Sequence, residues 1–218
     1  MTSREFRDRL LRRTARIPVE VTPDVLGALE AYYRLLAQWN RTINLTALRL
    51  DSPTDETFDR LIVEPLAATR LLPAITGSMP AHWIDLGSGG GSPAIPMKLV
   101  ASHFRLNMVE SKIRKAAFLR ETVRALNLQN AAVTNVRFSE LLRAQDMANT
   151  CTLVTARAVR WEPTLDEIVH RLLCKGGQFH WFTSHPASRP IVGFSWIDTV
   201  QIVDSKPKPA FLARFEKR

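Results

Sequence analysis

Trp83-Ile84-Asp85-Leu86-Gly87-Ser88-Gly89-Gly90-Gly91-Ser92-Pro93-Ala94-Ile95-Pro96-Met97 is the stretch whose reading decides the fold. A short apolar strand, Trp83-Ile84, ends in a carboxylate, Asp85. A loop with glycines at 87, 89, 90 and 91 follows. Pro93 and Pro96 suit the first turn of a helix, where a missing backbone N–H does no harm. Such a strand, glycine loop and helix let a ligand approach the backbone closely and offer it the N–H groups of a helix start. The unit reads as a nucleoside-cofactor site on a doubly wound sheet.

Beyond Met97 the pattern alternates. Strands are expected at 104–109, 131–136, 152–155, 179–183, 195–203 and 210–215, and helices at 112–126, 139–145 and 165–173. In the helix at 112–126, Ile113, Ala116, Ala117, Leu119, Val123 and Leu126 read as the inner side. Gly176-Gly177 reads as a turn. This alternation argues a mostly parallel sheet covered on both faces, closed by an antiparallel pair of strands. Upstream, Ser3 to Arg16 reads as a helix capped by Ser3, with Phe6, Leu10 and Leu11 as its apolar side. Thr22-Pro23 starts a second helix ending near Asn40, and 58–72 is a third, broken at Pro65. A loop fills 73–80. The expected organisation is a helical cap over residues 1–75 and a Rossmann-like domain over 76–218.

The net charge of +9 and a sequence pI of about 10.2 favour a polyanionic partner, with nucleic acid first. Six arginines on the first helix read either as a solvated face or as a phosphate-contacting one, and the second is preferred. The segment from Trp39 to Thr46, with Asn40 and Asn44, reads equally as a capped helix end against the core or as a loop contacting a base or cofactor. No apolar run reaches the ~18 residues of a membrane span. The arginine-rich start has no apolar core, so it is not a secretory signal, and Glu5 and Asp8 speak against a transit peptide. A cytoplasmic monomer is expected. Cys151 and Cys174 lack CxxC spacing and read as reduced, buried thiols. The five histidines show no metal-ligand grouping, so no metal is expected.

The loop is not a dinucleotide fingerprint, because the third glycine would fall at Ser92, and no Gly-Lys-Ser/Thr makes a P-loop. Asp-x-Gly-x-Gly-x-Gly after a strand looks instead like the first motif of class I S-adenosylmethionine-dependent methyltransferases. Glu110, ending the next strand, can accept from both ribose hydroxyls. It reads alternatively as an acid favoured by a helix start. Asp85 is expected to accept loop N–H groups near the cofactor's amino-acid part.

Trp39-Asn40 with Asn44-Leu45-Thr46, the glycine loop through Pro96, Glu110-Ser111 with Arg114-Lys115 and Phe118-Leu119, and Thr155-Ala156-Arg157-Ala158 together carry a more specific likeness. They resemble the bacterial small-subunit rRNA guanine-N7 methyltransferases, also called glucose-inhibited division protein B. The resemblance covers nearly the whole chain. It implies S-adenosylmethionine as cofactor and 16S rRNA, or the small ribosomal subunit, as partner. It places the methionine and ribose parts over Gly87, Ser88, Gly89 and Gly91, with Ser92 lining the pocket. The adenine would lie against Arg137, Phe138, Ser139 and Glu140. Arg157 would stand between cofactor and guanine, gripping the base or a phosphate; its structural reading is a surface salt bridge. Asn40 and Asn44 would belong to the substrate side.

Three positions depart from the family pattern. His-x-x-Asp-Ser reads Leu61-Ile62-Val63-Glu64-Pro65, an Asp is replaced by Thr152, and a lysine by Thr183. The expectation is a divergent member, with a changed RNA target or reduced activity. The rivals are a non-catalytic RNA-binding protein, a nicotinamide-dependent oxidoreductase and a small-molecule methyltransferase.

Overall fold

Three helical segments build the N-terminal part of the chain, and each starts on a threonine. The computed structural model describes residues 1–75, 81–143, 147–186, 190–204 and 209–218. The end of the expected loop at 73–80 and the last two residues of the expected helix at 139–145 lie outside them. Helix α1 (Ser3–Thr14) is capped by Thr2, one residue before the expected Ser3, in a reciprocal box with Glu5. Helix α2 (Pro23–Asn40) is capped by Thr22, with proline in its first turn. The third segment is one continuous helical run. It passes from α3 (Asp55–Phe58), capped by Thr54, through a π turn (Asp59–Val63) into α4 (Glu64–Ala68) and a 3-10 turn (Thr69–Leu71).

Phe6, Tyr33 and Phe58 pack these helices together, with ring centroids 5.2–6.0 Å apart. Leu11, expected on the apolar side of α1, is 45% exposed; Thr14 takes the inner place and donates to Leu10 O. The arginines of α1 also correct an expectation. Arg7 pairs with Glu30, Arg9 with Asp55, and Arg13 with both Asp55 and Asp59; Arg16 donates to Asp204 O. Those four are ties between helices and to the chain's far end. Arg4 and Arg12 remain exposed. Asp59 is nearly fully buried, so removing its guanidinium partner leaves a costly charge. Arg13→Met is expected to destabilise the fold by about 3 kcal/mol, read as a lower urea midpoint with an unchanged slope.

The sheet has the order β3-β2-β1-β4-β5-β7-β6. Strands β1 (His82–Leu86), β2 (Arg105–Val109), β3 (Ala131–Thr134), β4 (Cys151–Arg157) and β5 (Leu173–Thr183) run parallel. Strand β7 (Ala210–Lys217) inserts antiparallel between β5 and β6 (Phe194–Val203). This is the mostly parallel sheet with an antiparallel end that the alternating pattern implied, in the strand order of the class I methyltransferase fold expected from the glycine loop. Helices α5 (Ala94–Val100), α6 (Ile113–Ala125) and α7 (Pro163–Leu172) cross between parallel strands. One core cluster joins the N-terminal helices to Trp83, Met108 and Leu212 of the sheet. The other lies around α7 and includes Ile84, Val154 and Phe179.

Local expectations for the inner face of α6, the Gly176-Gly177 turn and Cys174 fail. Ile113 is 71% exposed and Ala117 is also exposed, because the inner face of α6 is set by Ala116, Phe118, Leu119 and Thr122. Gly176-Gly177 does not end an element. β5 begins at Leu173 and carries the pair as an irregularity, its partner register on β4 jumping from Cys151↔Leu173 to Leu153↔Gln178. A Cβ at Gly177 would stand 2.9 Å from Cys151 O, so glycine permits close strand contact there. Cys174 is half-buried, unlike Cys151, and both thiols are free. His180 is fully buried and held neutral, its pKa pushed down to about 3 by burial and the neighbouring Arg214. No helix among the described residues is long and apolar enough to cross a membrane.

Candidate active site

The chain order reverses between β1 and β4, and in such sheets a crevice opens beyond the strand ends at that point. Asp85 sits there, 1% exposed. Trp83 Nε1 donates to Thr155 Oγ1 at 2.8 Å, and Thr155 Oγ1 donates to Asp85 Oδ1 at 2.5 Å. Asp85 Oδ2 is buried without a hydrogen-bond partner. Burial, assisted by the charge of Glu110, pushes the Asp85 pKa up to about 6 against the hydroxyl bonds that lower it.

The carboxylate that organises the glycine loop is Glu110, which corrects the expectation for Asp85. Gly89 N–H donates to Glu110 Oε2 at 2.9 Å, and Lys112 N–H donates to Oε1 at 2.7 Å. Gly87 and Ser88 N–H both donate to Val109 O. Gly91 holds φ +85, and a Cβ there would lie 2.4 Å from Ile95 Cδ1, so the turn into α5 needs glycine. The N-terminal helices grip the loop from the other side: Tyr32 Oη donates to Gly90 O at 2.7 Å.

Arg157, at the end of β4, faces the π turn. In an uninterrupted α-helix the Glu64 N–H would bond Arg60 O. Here it reaches back to Asp59 O, and Pro65 has no N–H for Leu61 O. Both freed carbonyls are used. Arg60 O accepts from Arg157 Nη1 at 2.5 Å, and Leu61 O accepts from Ser92 Oγ at 3.0 Å. Arg157 Nη2 donates to Glu64 Oε2 at 2.6 Å. The Glu64 side chain is 1% exposed and that of Arg157 18%, so the pair is largely buried rather than a surface salt bridge. Burial raises the Glu64 pKa while Arg157 and Arg60 pull it down. The break foreseen at Pro65 therefore has a consequence: it frees one backbone acceptor for the arginine and one for Ser92.

A cleft of about 440 Å³ runs from Glu110 to Arg157. Of the expected residues Gly87, Ser88, Gly89, Ser92, Glu110 and Arg157 line it, with Asp85 and Gly91 buried beside it. Arg137, Phe138, Ser139 and Glu140 are not among its walls. They begin the 3-10 turn Phe138–Arg143, where Arg137 N–H donates to Glu140 Oε1 and Phe138 packs on the core around α7. Asn44 is exposed away from the cleft. Asn40 acts at one remove: its Oδ1 accepts from Leu45 N at 2.9 Å and Thr46 N at 3.0 Å. That bond shapes the loop whose Thr46, Ala47 and Leu48 form a wall. Asn40→Ala is expected to cost about 1–2 kcal/mol of stability and to loosen that wall, read as a lower melting temperature.

The sequence reading missed Gly90, Ala47, Leu48, Arg60, Lys115 and Ala158 as cleft residues, and Glu64 as the partner of Arg157, whereas Leu45 and Thr46 lie in the loop it read as a possible contact and Leu61 among the departures it noted. Lys115 carried a signal, since it follows Arg114 one turn after Glu110. Ala158 carried none, although its φ of +55 marks a strained position. Among the described residues no group of three or more His, Cys, Asp or Glu could hold a metal ion.

Comparison with known proteins adds a family to this geometry. The family model described as rRNA small subunit methyltransferase G matches residues 26–188. The protein named ribosomal RNA small subunit methyltransferase G from Xylella fastidiosa (strain 9a5c) is 40% identical over 65% of this chain and 59% of its own. Its namesake from Paracoccus denitrificans (strain Pd 1222) is 38% identical over 68% of this chain and 71% of its own. That from Geobacillus thermodenitrificans is 33% identical over 74% and 65%. The chain thus spans about two thirds or less of the length of several of these relatives. P. horikoshii TYW2, crystallised with MeSAdo, superposes with a TM-score of 0.53 at 11% identity, over 71% of this chain and 62% of that one. MtNAS, crystallised with MTA and tNA, gives 0.52 at 14% identity, over 88% and 72%. At such identities these two speak for the fold alone. The chain belongs to the rRNA small subunit methyltransferase G family.

Proposed function

We propose that this protein transfers a methyl group from S-adenosylmethionine to N7 of a guanine in 16S small-subunit rRNA. The observation that carries this reading is the cleft: a glycine loop fixed by Glu110 at one end, Arg157 at the other, and no histidine among the described residues that line it. The residues present fit the cofactor. Gly87 and Gly89 line the cleft at positive φ and carry no side chain, so a bound group can come close to the loop backbone there. Each Glu110 oxygen keeps a second lone pair for a ribose hydroxyl. The buried Oδ2 of Asp85 is an acceptor without a donor.

When bound, S-adenosylmethionine supplies a methyl on a sulfonium. Guanine N7 carries a lone pair and no proton. Attack by that pair on the methyl carbon would break the C–S bond, leave a neutral thioether and put the positive charge on the purine, with no proton for the protein to remove. The chain's contribution is therefore alignment and exclusion of water. Arg157 stays protonated and acts as a planar donor to the base or a neighbouring phosphate. Net charge +9 supplies attraction to the RNA backbone.

Of the departures, Leu61 lines the cleft that holds Arg157 and Thr183 lines the cavity on its other side, whereas Thr152 is inside the sheet, donating to His82 O. A changed RNA target belongs to the first two. The test is labelled S-adenosylmethionine with unmethylated small ribosomal subunits. Label recovered as N7-methylguanine is expected; no label from a protein that still binds the cofactor would overturn the reading.

A further inference from the structure

A second cavity, of about 280 Å³, opens on the far side of Arg157. It shares Arg60, Arg157 and Ala158 with the cofactor cleft, so these three residues form a partition between the two spaces. The ends of β4, β5 and β7 meet around it, contributing Phe182, Thr183, Ser184 and Phe211. Its volume is at the small end for a ligand pocket, enough for one heterocycle and too little for a length of chain.

The chemistry of its walls suits a flat, polar-edged ring. The Arg157 guanidinium lies 5.9 Å from the Phe182 ring centroid, so a cation and an aromatic face border the same space. Glu64 is also a wall. Its Oε1 is buried and has no hydrogen-bond partner, with Arg60 Nε 3.7 Å away. A buried acceptor without a donor, beside a donor-rich guanidinium, is complementary to a base edge that carries both kinds of group. Ala158 holds φ +55 at the partition itself, a conformation an alanine does not adopt without local cause.

We propose that this cavity receives the acceptor base, turned out of its stack, and that Arg157 and Ala158 form the aperture through which the base meets the methyl group. The proposal rests on the methyl-transfer reading above. It follows from the walls. The cofactor cleft is bounded by the Thr46–Leu48 loop and the π turn, and Arg60, Arg157 and Ala158 stand between it and the second cavity. The major groove of a paired RNA helix is deep and narrow, so a base left in the helix cannot bring N7 to a methyl held between those walls. Extrusion solves that geometry, and the cost of unstacking is met by contacts in the pocket.

The experiment fills the cavity without touching the cofactor cleft. Thr183→Trp and Ser184→Trp proteins are assayed with labelled S-adenosylmethionine and small subunits, and their cofactor affinity is measured separately. Retained cofactor affinity with a loss of methyl transfer of about 100-fold in kcat is expected, the loss a misplaced acceptor gives. Once the wild-type label locates the target base, 2-aminopurine is placed there. Its fluorescence should rise on binding wild-type protein and not on binding the filled variants. Label transfer at the wild-type rate by both filled variants would overturn the assignment alone. So would unchanged fluorescence with wild-type protein, a result that stands even if both variants fail to fold. No label from wild-type protein would overturn the methyl-transfer reading, and this assignment with it.

Discussion

Arg157→Met is expected to remove methyl transfer and to weaken the fold, and adding Glu64→Gln should restore the fold without restoring the reaction. The two losses have different causes. Glu64 is 1% exposed and its Oε2 takes a 2.6 Å bond from Arg157. Removing the guanidinium leaves a buried carboxylate with only the more distant Arg60, at 3.7 Å, and such losses cost about 3–5 kcal/mol. Neutralising Glu64 in the same protein removes the charge that needed compensation, so the urea midpoint should return most of the way. Methyl transfer should not return. Arg157 joins the Arg60 carbonyl, Ser92 and Glu64 at the boundary of both cavities. Without its planar donors nothing sets the angle at which a base approaches, and a misaligned acceptor loses about 100-fold or more. Arg157→Lys should behave as an intermediate case, keeping the charge for Glu64 but not the fork. Methyl transfer by the double variant at the wild-type rate would reduce Arg157 to a structural role.

The glycine loop was legible because backbone demand fixes residue type. Gly91 at φ +85 against Ile95 and the acid at the end of β2 are requirements that a sequence records directly. Strand positions were legible from apolar runs, and the elements lie within a few residues of expectation, apart from β5, which begins at Leu173 rather than Phe179. What was not legible is what depends on which residues meet across the fold. Glu110 and Asp85 look alike in sequence, each a carboxylate ending a parallel strand. Only the structure shows that Gly89 N–H turns to Glu110 and that Thr155 occupies Asp85. The arginines of α1 read as a phosphate surface because Glu30, Asp55 and Asp59, which neutralise three of them, lie 23–46 residues away. Pro65 announced a break in the helix, but its consequence, free carbonyls at Arg60 and Leu61, is visible only where Arg157 and Ser92 arrive. Ile113 and Ala117 failed because helical periodicity gives a face and tertiary packing decides which neighbour wins it.

Asp85→Asn should separate stability from cofactor binding through pH. The carboxyl has an ordinary value of 3.8 and in the fold stands at about 6, chiefly through burial. Between those values the folded protein holds a proton that the unfolded chain has released. Stability therefore falls as pH rises from about 4 to 6 and is level above, a cost of up to ~3 kcal/mol at neutral pH. Asparagine cannot ionise, so this slope should vanish. The difference in melting temperature between variant and wild type should then grow across that window in the variant's favour, less what its amide loses by being buried without an acceptor. Cofactor binding should run the other way. S-adenosylmethionine is a net cation and favours the ionised form of a carboxylate beneath the loop. Wild-type affinity should therefore rise from pH 5 to 7 and level off, while the variant stays flat and about tenfold weaker above pH 7, a difference of ~1.4 kcal/mol. Titration calorimetry at several pH values reads both curves. Parallel pH profiles for the two proteins would mean that Asp85 does not sense the cofactor, and that the buried Oδ2 serves the packing around Thr155 instead.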